Sequence, residues 1–219
     1  MEGFNPFFFL IFTFYFFSII NKYQFINQNI FDTIKKVIKM LKIVKDNVKS
    51  LRNKSIPVNM PLSDKDRKTL LEMIDYLEKS QDEEYCQKHG IRGGVGLAAP
   101  QIGINKRMFA IYYPKDEKTI VKYGLVNPRI IQNSLRKVAI QSGEGCLSVD
   151  DDKKGYVYRY HKIVMKAFDV VTNKEITITA TGYDAIVLQH EYDHLDGILY
   201  YDRIDKTDPY KIIDNSYLI

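Results

Sequence analysis

The chain has 219 residues, enough for one domain of ordinary size with a substantial core. Hydrophobic residues make up 45% and charged residues 27%, a balance that argues against a disordered chain. A net charge of +5 is too mild for an obligate nucleic-acid partner, and two cysteines, Cys86 and Cys146, suit a reducing compartment rather than a disulfide framework.

The first 31 residues differ from the rest. Ten of the 12 Phe fall there, and no charge lies between Glu2 and Lys22. The apolar run Phe7 to Ile20 falls short of the roughly 20 residues that a membrane span needs. As a secretory signal it is also poor, because Glu2 stands where a basic start belongs and no small-residue cleavage site follows. Residues 21–55 carry nine basic and two acidic side chains, a balance that organelle transit peptides share. A membrane anchor, a targeting segment and a start placed too early are the three readings. Met40-Leu41-Lys42-Ile43-Val44 reads as a fresh beginning and favours the last. The expected organisation is a hydrophobic and basic extension over 1–39 and one catalytic domain over 40–219.

Ser63-Asp64-Lys65-Asp66 opens a helix: Ser63 caps it, and acids favour its first turn. Leu70, Leu71, Ile74 and Leu77 recur at helical spacing, so the helix runs to about Ser80 with one face on a core. Gln81 to Gly94 is polar, ends in glycines and reads as a surface loop. Strand-like runs follow at Arg107 to Tyr113 and Val121 to Val126. Ile163 to Val171 and Glu175 to Thr181 read as a hairpin turning at Thr172-Asn173. Asp184 to Leu195 reads as a second helix. The expected fold is α+β, with short antiparallel β-sheets packed around a central helix that carries the motif described next.

His190-Glu191-Tyr192-Asp193-His194 is an HExxH motif. On a helix, positions i and i+4 share a face, so both imidazoles reach one metal ion, with Glu191 beside them to hold a water. The bland alternative is two exposed histidines on a charged helix. For the third ligand, no Glu follows Glu191 and no His follows His194; Gly197 fits the pattern HExxHxxGxxH, but its last position is Tyr200. Both common protease patterns therefore fail. Cys146 remains, in Glu144-Gly145-Cys146-Leu147-Ser148. A lone Cys is most often a small buried hydrophobe; as a ligand it would complete a three-residue set that leaves a position open for water. Gly94-Val95-Gly96-Leu97-Ala98-Ala99-Pro100-Gln101 is a third segment, a tight turn or close backbone approach. No Lys-Ser or Lys-Thr follows its glycines, so a phosphate loop is disfavoured.

In this order and at these separations, the three segments resemble the signature motifs of peptide deformylase. GxGxAAxQ is matched at Gly94 to Gln101, EGCLS at Glu144 to Ser148, and HExDH within Gln189 to Gly197. The resemblance covers residues 40 to 206. The Gln81 to Gly94 insertion and the short tail after Asp205 are similar to the Gram-positive bacterial branch; the phenylalanine-rich start has no counterpart there.

The resemblance implies removal of the formyl group from formyl-methionine on new bacterial polypeptides. It implies that Cys146, His190 and His194 hold the metal and that Glu191 is the base. It also implies that the Gln101 amide and the Leu147 N–H face the negative oxygen of the intermediate. The peptide would lie beside Gly94-Val95-Gly96, with the methionine side chain near Ile186, Val187 and His190. Glu144 and Arg159 form either a brace for the Cys146 loop or an ordinary surface ion pair. Fe²⁺ is the implied ion, with Ni²⁺, Co²⁺ or Zn²⁺ as substitutes. The implied partner is a nascent formyl-methionyl polypeptide near the ribosome, met by a cytoplasmic monomer that needs no nucleic acid. A membrane enters only if residues 7–20 are an anchor, and organelle import stays open. A metallopeptidase and a non-catalytic peptide-binding module are the competing functions; the second would be expected to have lost Glu191 or a ligand.

Overall fold

A computed structural model describes residues 41–219; the expectations for residues 1–39 lie outside the described residues. The first helix, α1 (Asp64–Lys79), starts where Ser63 Oγ accepts the Asp66 N–H at 3.2 Å. It buries Leu70, Met73, Ile74 and Leu77 and stops at Ser80. The segment after it is not a plain loop. Asp82 caps a second helix, α2 (Glu83–His89), which ends at the left-handed Gly90. With no buried residue, this helix has no apolar stripe for the sequence pattern to reveal.

Next come β1 (Gly96–Ala98), β2 (Met108–Pro114) and β3 (Ile120–Asn133). β3 continues seven residues beyond the expected Val126. Pro128 has no N–H to give the ladder, and Asn127 takes a positive φ; the register shifts there and the strand resumes at Arg129. β4 (Lys137–Ala139) and β5 (Arg159–Tyr160) flank the loop that carries Cys146. β6 (Lys162–Asp169) and β7 (Lys174–Thr181) form the expected hairpin, but its turn starts earlier. The Asp169 carboxylate accepts the Val171 and Thr172 N–H groups, taking Val170 and Val171 out of the strand. Helix α3 (Gly182–Leu195) carries the HExxH motif, and β8 (Ser216–Leu218) closes the chain.

The main sheet has the order β1-β2-β3-β6-β7 and is antiparallel throughout. A smaller sheet, β5-β4-β8, includes one parallel pair and was not anticipated; its strands are two or three residues long, too short to carry a period. β2 explains how the core is arranged. Met108, Ala110 and Tyr112 pack with α1, whereas Phe109, Ile111 and Tyr113 pack with Ala185, Val187 and Leu188 of α3. Alternate residues of a strand face opposite ways, so one sheet buries a helix on each side. Among the described residues, no helix is long and apolar enough to cross a membrane.

The end of α3 is locked to the start of the described chain at Gly197. Its φ is +74°, and a Cβ there would meet the Arg52 carbonyl oxygen at 2.6 Å. Gly103 has a similar φ of +79° but open space around it. Gly103→Ala is expected to cost about 1–2 kcal/mol, the left-handed penalty alone. Gly197→Ala adds displacement of the Arg52 backbone and should cost about 2–4 kcal/mol. Urea unfolding of the two variants checks this; equal losses would mean that the contact with Arg52 contributes nothing.

Candidate metal centre

Helix α3 is covered almost all round, with Ala185 to Gln189, Glu191 and Asp193 to Leu195 buried. A helix so enclosed buries polar residues only where something compensates them. His190 and His194 lie one turn apart, their rings 5.0 Å between centroids and 77° between planes. The β4–β5 loop brings Cys146 over them, with Sγ 3.4 Å from His194 Nε2. One ligating atom from each of Cys146, His190 and His194 lies within 4.8 Å of the other two. Metal–sulfur bonds of about 2.3 Å and metal–nitrogen bonds of about 2.0 Å fit one ion at that spacing. The donor chemistry agrees: one thiolate and two imidazoles suit a first-row transition ion and leave a position open.

Behind the donors lies a buried charge network. Glu144 Oε2 accepts from His190 Nδ1 at 2.8 Å, which leaves Nε2 as the ligating nitrogen. Arg159 donates to both oxygens of Glu144, at 2.6 and 2.9 Å, and to Asp193 Oδ2 at 2.8 Å. Arg203 then donates twice to Asp193. Burial alone would raise the Glu144 carboxyl, but the Arg159 charge and the bonds from His190 and Arg159 hold it at about 2. Burial and the neighbouring His190 and Arg159 hold His194 well below the usual histidine range, so it is a neutral donor. His190 goes the other way: burial opposes its charge, yet the Cys146 sulfur and Glu144 raise it well above that range. The Glu144–Arg159 pair is a buried brace, and the surface alternative is excluded.

Glu191 is 3% exposed and its Oε2 has no hydrogen-bond partner among the described residues. Burial pushes its carboxyl up to about 7, and a cation beside it would pull it back down. Gly96 makes room for it: a Cβ at that position would overlap Glu191 Oε1. Gln101 is oriented by its own loop. Its Oε1 accepts the Ala98 N–H at 2.7 Å, turning Nε2 toward Ser148 Oγ at 3.3 Å and Cys146 Sγ at 3.5 Å.

A cavity of about 380 Å³ opens onto these groups. Its lining brings together Gly94, Val95, Gly96, Gln101, Cys146, Leu147, Ile186, Val187, His190 and Glu191, every expected site residue except His194. His194 is fully buried beneath it. Two further residues had no role in the sequence reading. Asp193, inside the motif, is the shared acceptor of Arg159 and Arg203. Tyr200, at the position where HExxHxxGxxH would place a histidine, stacks on His190 at 6.1 Å and accepts the Lys153 N–H at 2.7 Å. Its place after Gly197 in that pattern was the only signal available.

Comparison with known proteins agrees with this geometry. The polypeptide deformylase family matches residues 40–210. Peptide deformylase 2 of Geobacillus stearothermophilus is 42% identical over 180 residues, covering 82% of this chain and 97% of that protein. A peptide deformylase of Staphylococcus epidermidis is 46% identical over 176 residues, covering 80% and 96%. The crystal structure of peptide deformylase from Ehrlichia chaffeensis matches with a TM-score of 0.64 at 29% identity, covering 77% of this chain and 90% of that one. Three motifs, a convergent thiol–imidazole site and relatives matched along nearly their full length lead to one conclusion: this chain belongs to the polypeptide deformylase family.

Proposed function

We propose that Cys146, His190 and His194 hold one divalent metal ion and that Glu191 moves the proton during hydrolysis of an N-formyl amide. As a member of its family, the chain is a peptide deformylase, a metal-dependent amidohydrolase that removes the formyl group from the N-terminal formyl-methionine of new polypeptides. The observation that carries the residue roles is the convergence of three metal donors beside a buried carboxylate with an unpartnered oxygen.

A bound divalent ion supplies Lewis acidity and a water of lowered pKa. Glu191 would accept the proton of the attacking water and would deliver it to the departing amine nitrogen. The Gln101 Nε2–H and the Leu147 N–H donate to the formyl oxygen as it becomes negative; removing such a donor typically costs about 3 kcal/mol of barrier. The peptide lies extended beside Gly94-Val95-Gly96 as an added strand, and its methionine side chain packs against Ile186 and Val187. Backbone pairing of this kind accepts many sequences after the first residue. Fe²⁺ is assigned as the ion, with Ni²⁺, Co²⁺ or Zn²⁺ able to replace it; the thiolate and imidazole donors support this set over Mg²⁺ or Ca²⁺.

A nascent-chain substrate supports a cytoplasmic site of action near the ribosome. All three motifs lie within one domain, which supports a monomer that needs no nucleic acid. The family match from residue 40 supports a catalytic domain of 40–219 preceded by an extension of 1–39.

Four outcomes test this reading. The protein should release formate from formyl-Met-Ala-Ser and leave the unformylated peptide intact, which a metallopeptidase would cleave. Glu191→Gln should lower kcat by about 10²–10⁴ with metal content unchanged, and loss of metal from that variant would sink its role as base. Glu144→Gln removes the charge that orients His190, so metal affinity should fall about 10–100-fold in a chelator competition. An unaltered affinity would leave Glu144 a purely structural role. If iron is the working ion, peroxide should inactivate the ferrous form much faster than the zinc form, because peroxide oxidises Fe²⁺ whereas Zn²⁺ has no redox chemistry. Equal lifetimes would count against iron.

A further inference from the structure

The C-terminal end of α1 grips one glycine of the segment that borders the cavity. Ser80, 4% exposed, accepts the Gly94 N–H on its Oγ at 3.2 Å. That hydroxyl donates to the Leu77 carbonyl at 2.8 Å and lies 3.3 Å from the Gly94 carbonyl oxygen. Gln81 Nε2 donates to the same Gly94 oxygen at 2.7 Å and to Leu77 O at 3.0 Å. Helix α2 backs this grip, with Cys86 Sγ 3.3 Å from Ser80 O. An ordinary helix cap would account for the bonds to Leu77. It does not account for the engagement of both backbone groups of Gly94.

The direction of the strand says what those bonds hold. Gly96 abuts Glu191 and so marks the end of the segment nearest the reacting centre. Gly94 is two residues upstream, before a bend at Val95, and lines the same cavity. β1 is the edge strand of its sheet, bonded to β2 on one side only. Gly94 therefore borders the place where residues after the first would run.

We propose that Ser80 and Gln81 are positioning residues for the part of the substrate that follows formyl-methionine, fixing the open edge of β1 through both backbone groups of Gly94. The inference rests on the reading that the peptide pairs beside Gly94-Val95-Gly96. Fixing that edge beforehand removes its ordering cost from binding, so the benefit appears in KM more than in kcat.

Gln81→Met keeps length and removes both donors at an exposed position; Ser80→Ala removes the hydroxyl. Both variants, metal-loaded in the full chain, are assayed on formyl-Met-Ala-Ser and on formyl-methionine, with melting temperatures measured alongside. KM for the tripeptide should rise about fivefold to tenfold with kcat within about twofold. The loss in kcat/KM on the tripeptide should exceed that on formyl-methionine by at least about threefold. Equal losses on the two substrates, or an unchanged KM for the tripeptide, would overturn the proposal. If Ser80→Ala melts at a much lower temperature, Gln81→Met decides alone. A wild-type protein that releases formate from neither substrate removes the deformylase reading itself. One that treats both substrates alike removes the edge-pairing reading, and this inference with it.

Discussion

Arg159 is 3% exposed, and a guanidinium cannot shed its charge there, so acceptors must surround it. The acceptors are Glu144 from the Cys146 loop and Asp193 from the motif helix, and Arg203 balances the second carboxylate. Two buried anions and two cations thus join four parts of the chain: the Cys146 loop, strand β5, helix α3 and the turn Tyr200–Arg203. Removing Arg159, Glu144 or Asp193, the buried members, typically costs about 3–5 kcal/mol, because a charge is left buried without its partner. That cost makes the arrangement rigid. The remaining hydrogen-bonding capacity of Glu144 fixes the His190 ring, so a structural ion network also sets the direction of the nitrogen proposed as a ligand.

Rigidity on that side is matched by close approach on the other. Gly96 lets a strand edge come against Glu191 with no side chain between them. The carboxylate ends up buried, lacking a partner on one oxygen, and raised to about 7. A cation held by the neighbouring donors would lower that value and leave the carboxylate ionised, able to accept a proton. Gln101 follows the same logic: its own loop satisfies its oxygen, so its amide nitrogen has one direction to face. Gln101 is thus held by a bond on the side away from the chemistry, and Glu144 holds His190 in the same way.

Placement of the motif helix between two differently packed regions keeps this arrangement intact. One side of α3 packs on the main sheet through Ala185, Val187 and Leu188. On the other side, Cys146, Val149, Val157 and Tyr200 form a small apolar cluster of their own. Tyr200 stacks on His190 from that cluster while its hydroxyl takes the Lys153 N–H, so the ring supports the ligand without competing for the metal.

Much of this was legible in the amino-acid sequence because the relevant periods are local. Positions i and i+4 on one helix share a face, which is enough to pair His190 with His194 and set Glu191 beside them. Ser63 and the apolar spacing after it marked α1 to within a residue, since capping and burial act over one or two turns. The absence of a later Glu or His left Cys146 as the third donor. Helix α2 was invisible because it buries nothing, and the continuation of β3 was hidden because Pro128 and Asn127 look like an end. The sequence by itself determined the α+β class and nominated the candidate donors and the candidate base, each of which depends on residue type and short spacing. Only the tertiary structure decided that Glu144 and Arg159 are buried, that Asp193 and Tyr200 support the site, and that Gly96 meets Glu191 and Ser80 holds Gly94. Those relations join residues 10 to 95 positions apart, and sequence spacing carries no information about which distant groups the fold brings into contact.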